Sequence, residues 1–131
     1  MTDTLQMTYI GGPTALVEFG GFRLLTDPAF DPEGGEYTTG PVTLWKTKGP
    51  AIDAASLGRI DAVLLSHDHH SDNLDHSGRA LLSHAGSVLT TREGAQRLGG
   101  NAVGLEHWKT RDLKAPDGRT LLVTGTPARH G

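Results

Sequence analysis

The 131-residue chain contains no cysteine, which excludes disulfides, thiolate zinc sites, iron–sulfur ligation and a cysteine nucleophile. Any metal must therefore be held by nitrogen and oxygen. No apolar run approaches the ~20 residues that a membrane-spanning helix needs, so no membrane partner is expected. The opening MTDTLQMTYIGG lacks both the basic and the apolar segment of a secretory leader, so a cytoplasmic location is expected. Cationic excess is missing as well. Twelve scattered lysines and arginines stand against 15 aspartates and glutamates, a net charge of -3, which gives no electrostatic footprint for nucleic acid. Neither a GxSxG elbow nor a GxxxxGK[ST] phosphate loop occurs, which argues against serine-centred covalent catalysis and against phosphate cradling of that kind.

What is present fits one domain over residues 1–131, of a size that buries a core without staples. The 18 glycines are often doubled, at 11–12, 20–21, 34–35 and 99–100, and they punctuate short segments rich in β-branched and large apolar residues. QMTYI (6–10), TALVEF (14–19) and FRLLTD (22–27) read as consecutive strands. Residues 28–50 carry proline, glycine and polar residues around a brief apolar patch, PVTLW, and read as a long surface loop. IDAVLLS (60–66) has the look of a strand buried on both faces, and DHSGRALLSH (75–84) of a helix after it. SVLTT (87–91) predicts a strand, REGAQRLG (92–99) a short helix stopped by Gly99, NAVGLE (101–106) a strand, and the APDG turn (115–118) a closing hairpin. Strands first and strand–helix alternation afterwards indicate a mixed α/β, or α+β, domain.

The chemistry concentrates at residues 66–75, SHDHHSDNLD, at the carboxyl end of the buried strand. Imidazole and carboxylate ligands suit zinc, manganese and iron, and loops at strand ends are held by the sheet. His67, His69, His70 and Asp72 are the candidate ligands, and Asp68 is placed either to orient a metal-bound water or to point away along the pleat. Asp72, Asn73 or Asp75 would equally serve as N-cap of the following helix. Asp27, before Pro28, is either a turn residue or a carboxylate that hydrogen-bonds a ligand imidazole. His76, His84 and His107 stand singly and read as ordinary histidines. Trp45 and Trp108 suit a pocket wall or plain packing.

VLLSHDHHSDNLD resembles the signature of the metallo-β-lactamase superfamily, a buried strand ending in HxHxDH. FRLLTDP (22–28) and VTGTPARHG (123–131) resemble two further segments of its lactonase and phosphodiesterase-like branch. The resemblance implies the N-terminal half of a four-layer αββα sandwich, with a mixed sheet and flanking helices. It also implies a metal-dependent hydrolase in which an activated water attacks an ester, lactone or phosphodiester-type small molecule. One or two zinc ions are implied, with manganese or iron as alternatives, held by His67, His69 or His70, His130 and Asp72, with Asp72 and Asp68 as the catalytic carboxylates. Two departures stand out. One residue more than HxHxDH separates His67 from Asp72, so that His67 and His69 match the front of the motif whereas His70 and Asp72 match its back. Asn73 also replaces the final histidine, a weaker ligand for a second ion. The superfamily's second half has no counterpart after Gly131, so a truncated gene or partial record is expected, with an exposed sheet face that invites a homo-oligomer. A non-hydrolytic iron protein of the same fold and an inactive half-domain are the other readings.

Overall fold

A computed structural model describes residues 4–129 of the chain. The glycine-punctuated opening forms an antiparallel meander of β1 (Gln6–Gly11), β2 (Thr14–Phe19) and β3 (Phe22–Thr26). The chain then leaves the sheet for a hairpin, β4 (Glu36–Thr39) and β5 (Val42–Trp45), and returns as β6 (Ala62–Leu64), parallel to β3. There follow α1 (His76–Leu81), which tightens into a 3-10 turn over Leu82–His84, then β7 (Ser87–Thr90), α2 (Arg92–Leu98) and β8 (Ala102–Gly104). The hairpin of β9 (Thr110–Lys114) and β10 (Thr120–Thr124) closes the described chain. The main sheet runs β1-β2-β3-β6-β7-β8, antiparallel up to β3 and parallel beyond it. This is the mixed α+β architecture that the strand and helix signals predict.

Residues 28–50 are not the continuous loop expected from their composition. Gly40 takes a φ of +60° between Thr39 and Val42, which pair across the turn. A glycine with positive φ at the first central position, followed by a proline whose φ is already fixed, suits a tight two-residue hairpin connection. The proline that suggested a loop thus sits inside the turn, outside either strand.

The period-two alternation of each strand builds two cores. On one face Leu16, Leu25, Val63 and Val88 pack with Phe30, Leu57, Leu74, Leu81 and Leu82, so that α1 and the segments around it cover this side. On the other face Phe22, Leu24, Ala62 and Leu89 meet Leu113, Leu121 and Val123 of the closing hairpin. Leu25 and Val63 are both fully buried, each contributing roughly 1.5–3 kcal/mol relative to exposure. The second face is therefore covered at its centre. At the β1 edge, Leu5, Met7 and Tyr9 stay more than half exposed, at 54%, 66% and 69%.

Since β3, β6 and β7 run parallel, their carboxyl ends open on one edge of the sheet, where Asp27, Ser66–His70 and Thr90 gather. Helix α1 docks close behind. A Cβ on Gly78 would collide with the Pro28 carbonyl, so only glycine lets the helix lie against the loop that follows β3.

Candidate metal centre

The last ladder bond beyond β6 joins the Leu65 N–H to the Leu89 carbonyl at 2.9 Å. After it the backbone is taken over by side chains. Asp27 receives the Ser66 N–H at 2.7 Å and the Ser66 hydroxyl at 2.6 Å, and Ser66 Oγ lies 2.8 Å from His67 Nδ1. A hydroxyl has one proton. Given to Asp27, it leaves Ser66 Oγ to accept from His67, which puts the His67 proton on Nδ1 and turns the Nε2 lone pair outward. Asp27 therefore acts on the imidazole through Ser66, a residue that sequence reasoning passed over.

His67 Nε2 faces His70 Nδ1 at 3.2 Å, with the ring centroids 5.0 Å apart. Two imidazole nitrogens on one tetrahedral zinc, each at ~2.0–2.1 Å, lie about 3.3 Å from one another. The donor pair thus fits two positions around one ion, and in its absence a proton shared between the nitrogens holds the same geometry. Among the described residues no three His, Asp or Glu side chains converge into a set that would hold a metal. His130, the further histidine implied by the resemblance, lies outside the described residues.

His69 is turned elsewhere. Its Nε2 lies 3.0 Å from Arg97 Nη2, and Arg97 also clamps the buried Asp68 through Nε at 2.8 Å and Nη2 at 2.7 Å. Hydrogen bonding from the Arg97 guanidinium holds the Asp68 carboxyl below the usual carboxylate range, although burial acts in the opposite direction. Asp68 is therefore a charged, paired group facing α2. A lone arginine at the end of a short helix gives no signal in sequence.

The loop after the histidines is stapled from both ends. Asn73 Nδ2 donates to the His67 carbonyl at 2.6 Å, whereas the buried Oδ1 of the same amide has no hydrogen-bond partner among the described residues. An unpaired buried oxygen one amide width from the histidine loop is a donor that suits a cation. Asp75 proves to be the N-cap of α1, receiving Gly78 N–H at 2.8 Å, and it does more: it accepts Phe30 N–H at 2.9 Å, Asp31 N–H at 2.8 Å and Lys46 Nζ at 3.0 Å. Asp72 is exposed, and with Ser71 it forms one rim of a groove of about 320 Å³ whose other walls include Pro13, Tyr37, Trp45 and Lys46. Trp45 lines this groove, while Trp108, 69% exposed, belongs to neither core. His76 stacks on Tyr37, with centroids 6.2 Å apart.

Beside the groove, Asp31 accepts the Tyr37 hydroxyl at 2.6 Å and the Ser77 N–H at 2.8 Å. Burial pushes its carboxyl up, but the bonds from Tyr37, Ser77 and His76 outweigh it and bring the pKa from 3.8 to about 2. The unfolded chain therefore binds the proton first as pH falls. The linked stability, roughly 2 kcal/mol, is fully present above the ordinary carboxylate value and is lost as pH drops towards the folded value. Melting temperature against pH is expected to fall between pH 3.8 and about 2, and Tyr37→Phe to move that fall to higher pH. An unchanged profile in the variant would show that Tyr37 does not hold Asp31 ionised.

No known family model matches the chain. Uncharacterized proteins of Mycobacterium bovis and Mycobacterium tuberculosis are 40% identical to it over 72 residues, 54% of this chain and 18% of theirs. Among solved structures, an isothiocyanate hydrolase from Delia radicum gut bacteria superposes with a TM-score of 0.63 at 19% identity, over 87% of this chain and 45% of that one. The diiron β-hydroxylase CmlA of Streptomyces venezuelae gives 0.57 at 20% identity, over 85% and 22%. A metallo hydrolase of the hyperthermophilic archaeon Ignicoccus hospitalis gives 0.57 at 17% identity, over 83% and 42%. The chain thus spans less than a fifth of the curated relatives and less than half of each of these solved chains. At such identities the likeness is one of fold.

Proposed function

We propose, from the metallo-β-lactamase fold that this chain carries, that it is the metal-binding part of a hydrolase acting on an ester, lactone or phosphodiester-type small molecule. The observation that carries the reading is the His67–His70 nitrogen pair, oriented by Asp27 through Ser66 at the carboxyl edge of a parallel sheet. His67 and His70, with His69 as the competing donor and Asp72 and His130 as the remaining ligands, would hold zinc, or manganese or iron in its place. When bound, the ion supplies Lewis acidity and a water acidified from ~15.7 towards ~7.

The protein residues supply the rest. Asp72, exposed on the groove rim, takes a proton from the attacking water or delivers one to the leaving group. The Ser66–Asp27 relay keeps the His67 proton on Nδ1 throughout, so that Nε2 stays a donor of electrons. Burial and the bond to Asp31 push the Tyr37 phenol upward, so it remains a hydrogen-bond donor and takes no part as a base. Lys46, anchored on Asp75, holds the β4–β5 wall of the groove in which the substrate's apolar part rests against Trp45.

Elemental analysis of purified, tag-free protein tests this directly. Zinc, manganese or iron near one or two per chain is expected, lost in His67→Ala and reduced in Asp72→Ala, together with hydrolysis of at least one member of an ester, lactone and phosphodiester panel. Well-folded protein without metal would sink the reading. The likeness to a diiron β-hydroxylase favours a second one, an iron protein with redox chemistry. Iron in the assay, with no hydrolysis of any panel member, would select it.

A further inference from the structure

We propose that Arg97 is a positioning residue that sorts the three histidines: it engages His69 and so leaves His67 and His70 as the nitrogen pair for the ion. The inference rests on the metal-binding reading above and goes on to assign the ligands, which HDHHSDN leaves open by its one extra residue.

A guanidinium only donates hydrogen bonds. With Arg97 Nη2 at 3.0 Å, His69 Nε2 must be the acceptor, and in the neutral ring the proton then sits on Nδ1, which lies 3.8 Å from Asp68 Oδ1. Nε2 is thereby engaged by Arg97, while Nδ1 faces, beyond hydrogen-bond reach, the carboxylate that Arg97 also clamps. In this arrangement His69 has no lone pair to offer an ion. His67 Nε2 and His70 Nδ1 instead face one another across 3.2 Å, and the proton that bridges them is the one an ion would displace, moving to His70 Nε2.

Arg97 itself is held in place. The Asp68 side chain is 6% exposed and binds the guanidinium through both oxygens, and Arg97 comes from α2, whose N-cap Thr91 accepts the Gly94 N–H. A Cβ on Gly94 would stand 3.3 Å from Asp68 Oδ1, so the glycine leaves that carboxylate its place beside the helix. The fork is thus braced by an ion pair and by helix packing, while the His69 side chain, 56% exposed, is the part that yields to it.

Long-range proton–nitrogen correlation of the histidine rings in the metal-free, full chain reads this out without any activity. His69 is expected as the Nδ1–H tautomer in the wild type. In Arg97→Lys, which keeps a cation beside Asp68, it is expected to shift towards Nε2–H. The double variant Arg97→Met/Asp68→Asn, with no buried charge left over, gives the same shift if the lysine form is poorly folded. An Nε2–H His69 in the wild type, or a tautomer unmoved in both variants, overturns the role of Arg97. Zinc titration then assigns the ligands: His70→Ala is expected to weaken binding by about tenfold or more and His69→Ala to change it little, whereas the reverse order overturns the assignment. Failure to bind zinc at all removes the metal-binding reading and the ligand assignment with it, yet leaves the tautomer result as a measure of Arg97 alone.

Discussion

Asp75→Ala is expected to lower the unfolding free energy by roughly 3–5 kcal/mol, which removal of one partner from a buried ion pair commonly does. Its carboxylate, in a residue only 3% exposed, is the meeting point of three backbone N–H groups and the Lys46 ammonium. With it gone, the loop after β3 loses two bonds, α1 loses its cap and Lys46 is left half-enclosed without a counter-charge. Urea unfolding at neutral pH measures the loss as a lower midpoint. Asp75→Asn keeps an acceptor for the helix but surrenders the charge, so an intermediate value is expected. A loss below about 1 kcal/mol for the alanine variant would place it with ordinary surface substitutions and refute the role of Asp75 as a hub.

Ser66→Ala is expected to weaken zinc binding by about 10–100-fold while leaving the fold intact, the range found when a group that orients a metal-bound imidazole is removed. Alanine keeps the backbone N–H that Asp27 accepts at 2.7 Å, so the strand end stays pinned. The hydroxyl's 2.6 Å bond to Asp27 and its 2.8 Å contact to His67 Nδ1 disappear together, and the proton of that ring can then move to Nε2, where it competes with an ion. Asp27→Asn is expected to act in the same direction, since an amide is a poorer acceptor for the Ser66 hydroxyl. Competition titration against a chelator of known affinity measures both. Unaltered affinity in Ser66→Ala would show that something other than this relay fixes the tautomer.

Much of this architecture was legible because local signals agreed with one another. Doubled glycines between TALVEF and FRLLTD, a short apolar run in IDAVLLS and an APDG turn each suggest one element, and the structure has that element there. The β4–β5 hairpin was missed for a physical reason: its strands are short and mostly exposed, and Leu44 and Trp45 point to a groove, so the alternation of a half-buried strand is absent. The histidine cluster was visible as a cluster, and Asp75 was among the candidate caps. What the sequence does not carry is which side chain meets which. Arg97 lies 29 residues from Asp68 and Asp75 lies 45 from Phe30, separations at which only the folded sheet decides the partner. The guanidinium that meets His69 is delivered by another helix, and no spacing rule within the motif contains that information.

The Lys46–Asp75 bond also makes one mechanical unit out of two parts that look separate. The β4–β5 hairpin forms a wall of the groove, and Asp75 begins the helix that immediately follows the histidine loop. Thermodynamic linkage then applies in both directions. On the proposed metal-binding reading, a molecule whose seating displaced the hairpin relative to α1 would alter the hold on the ion, and the ion would alter the hold on that molecule by the same factor. Occupancy of the groove and of the metal centre would then report on each other, so a zinc titration repeated with the groove filled reads out the molecule that fills it.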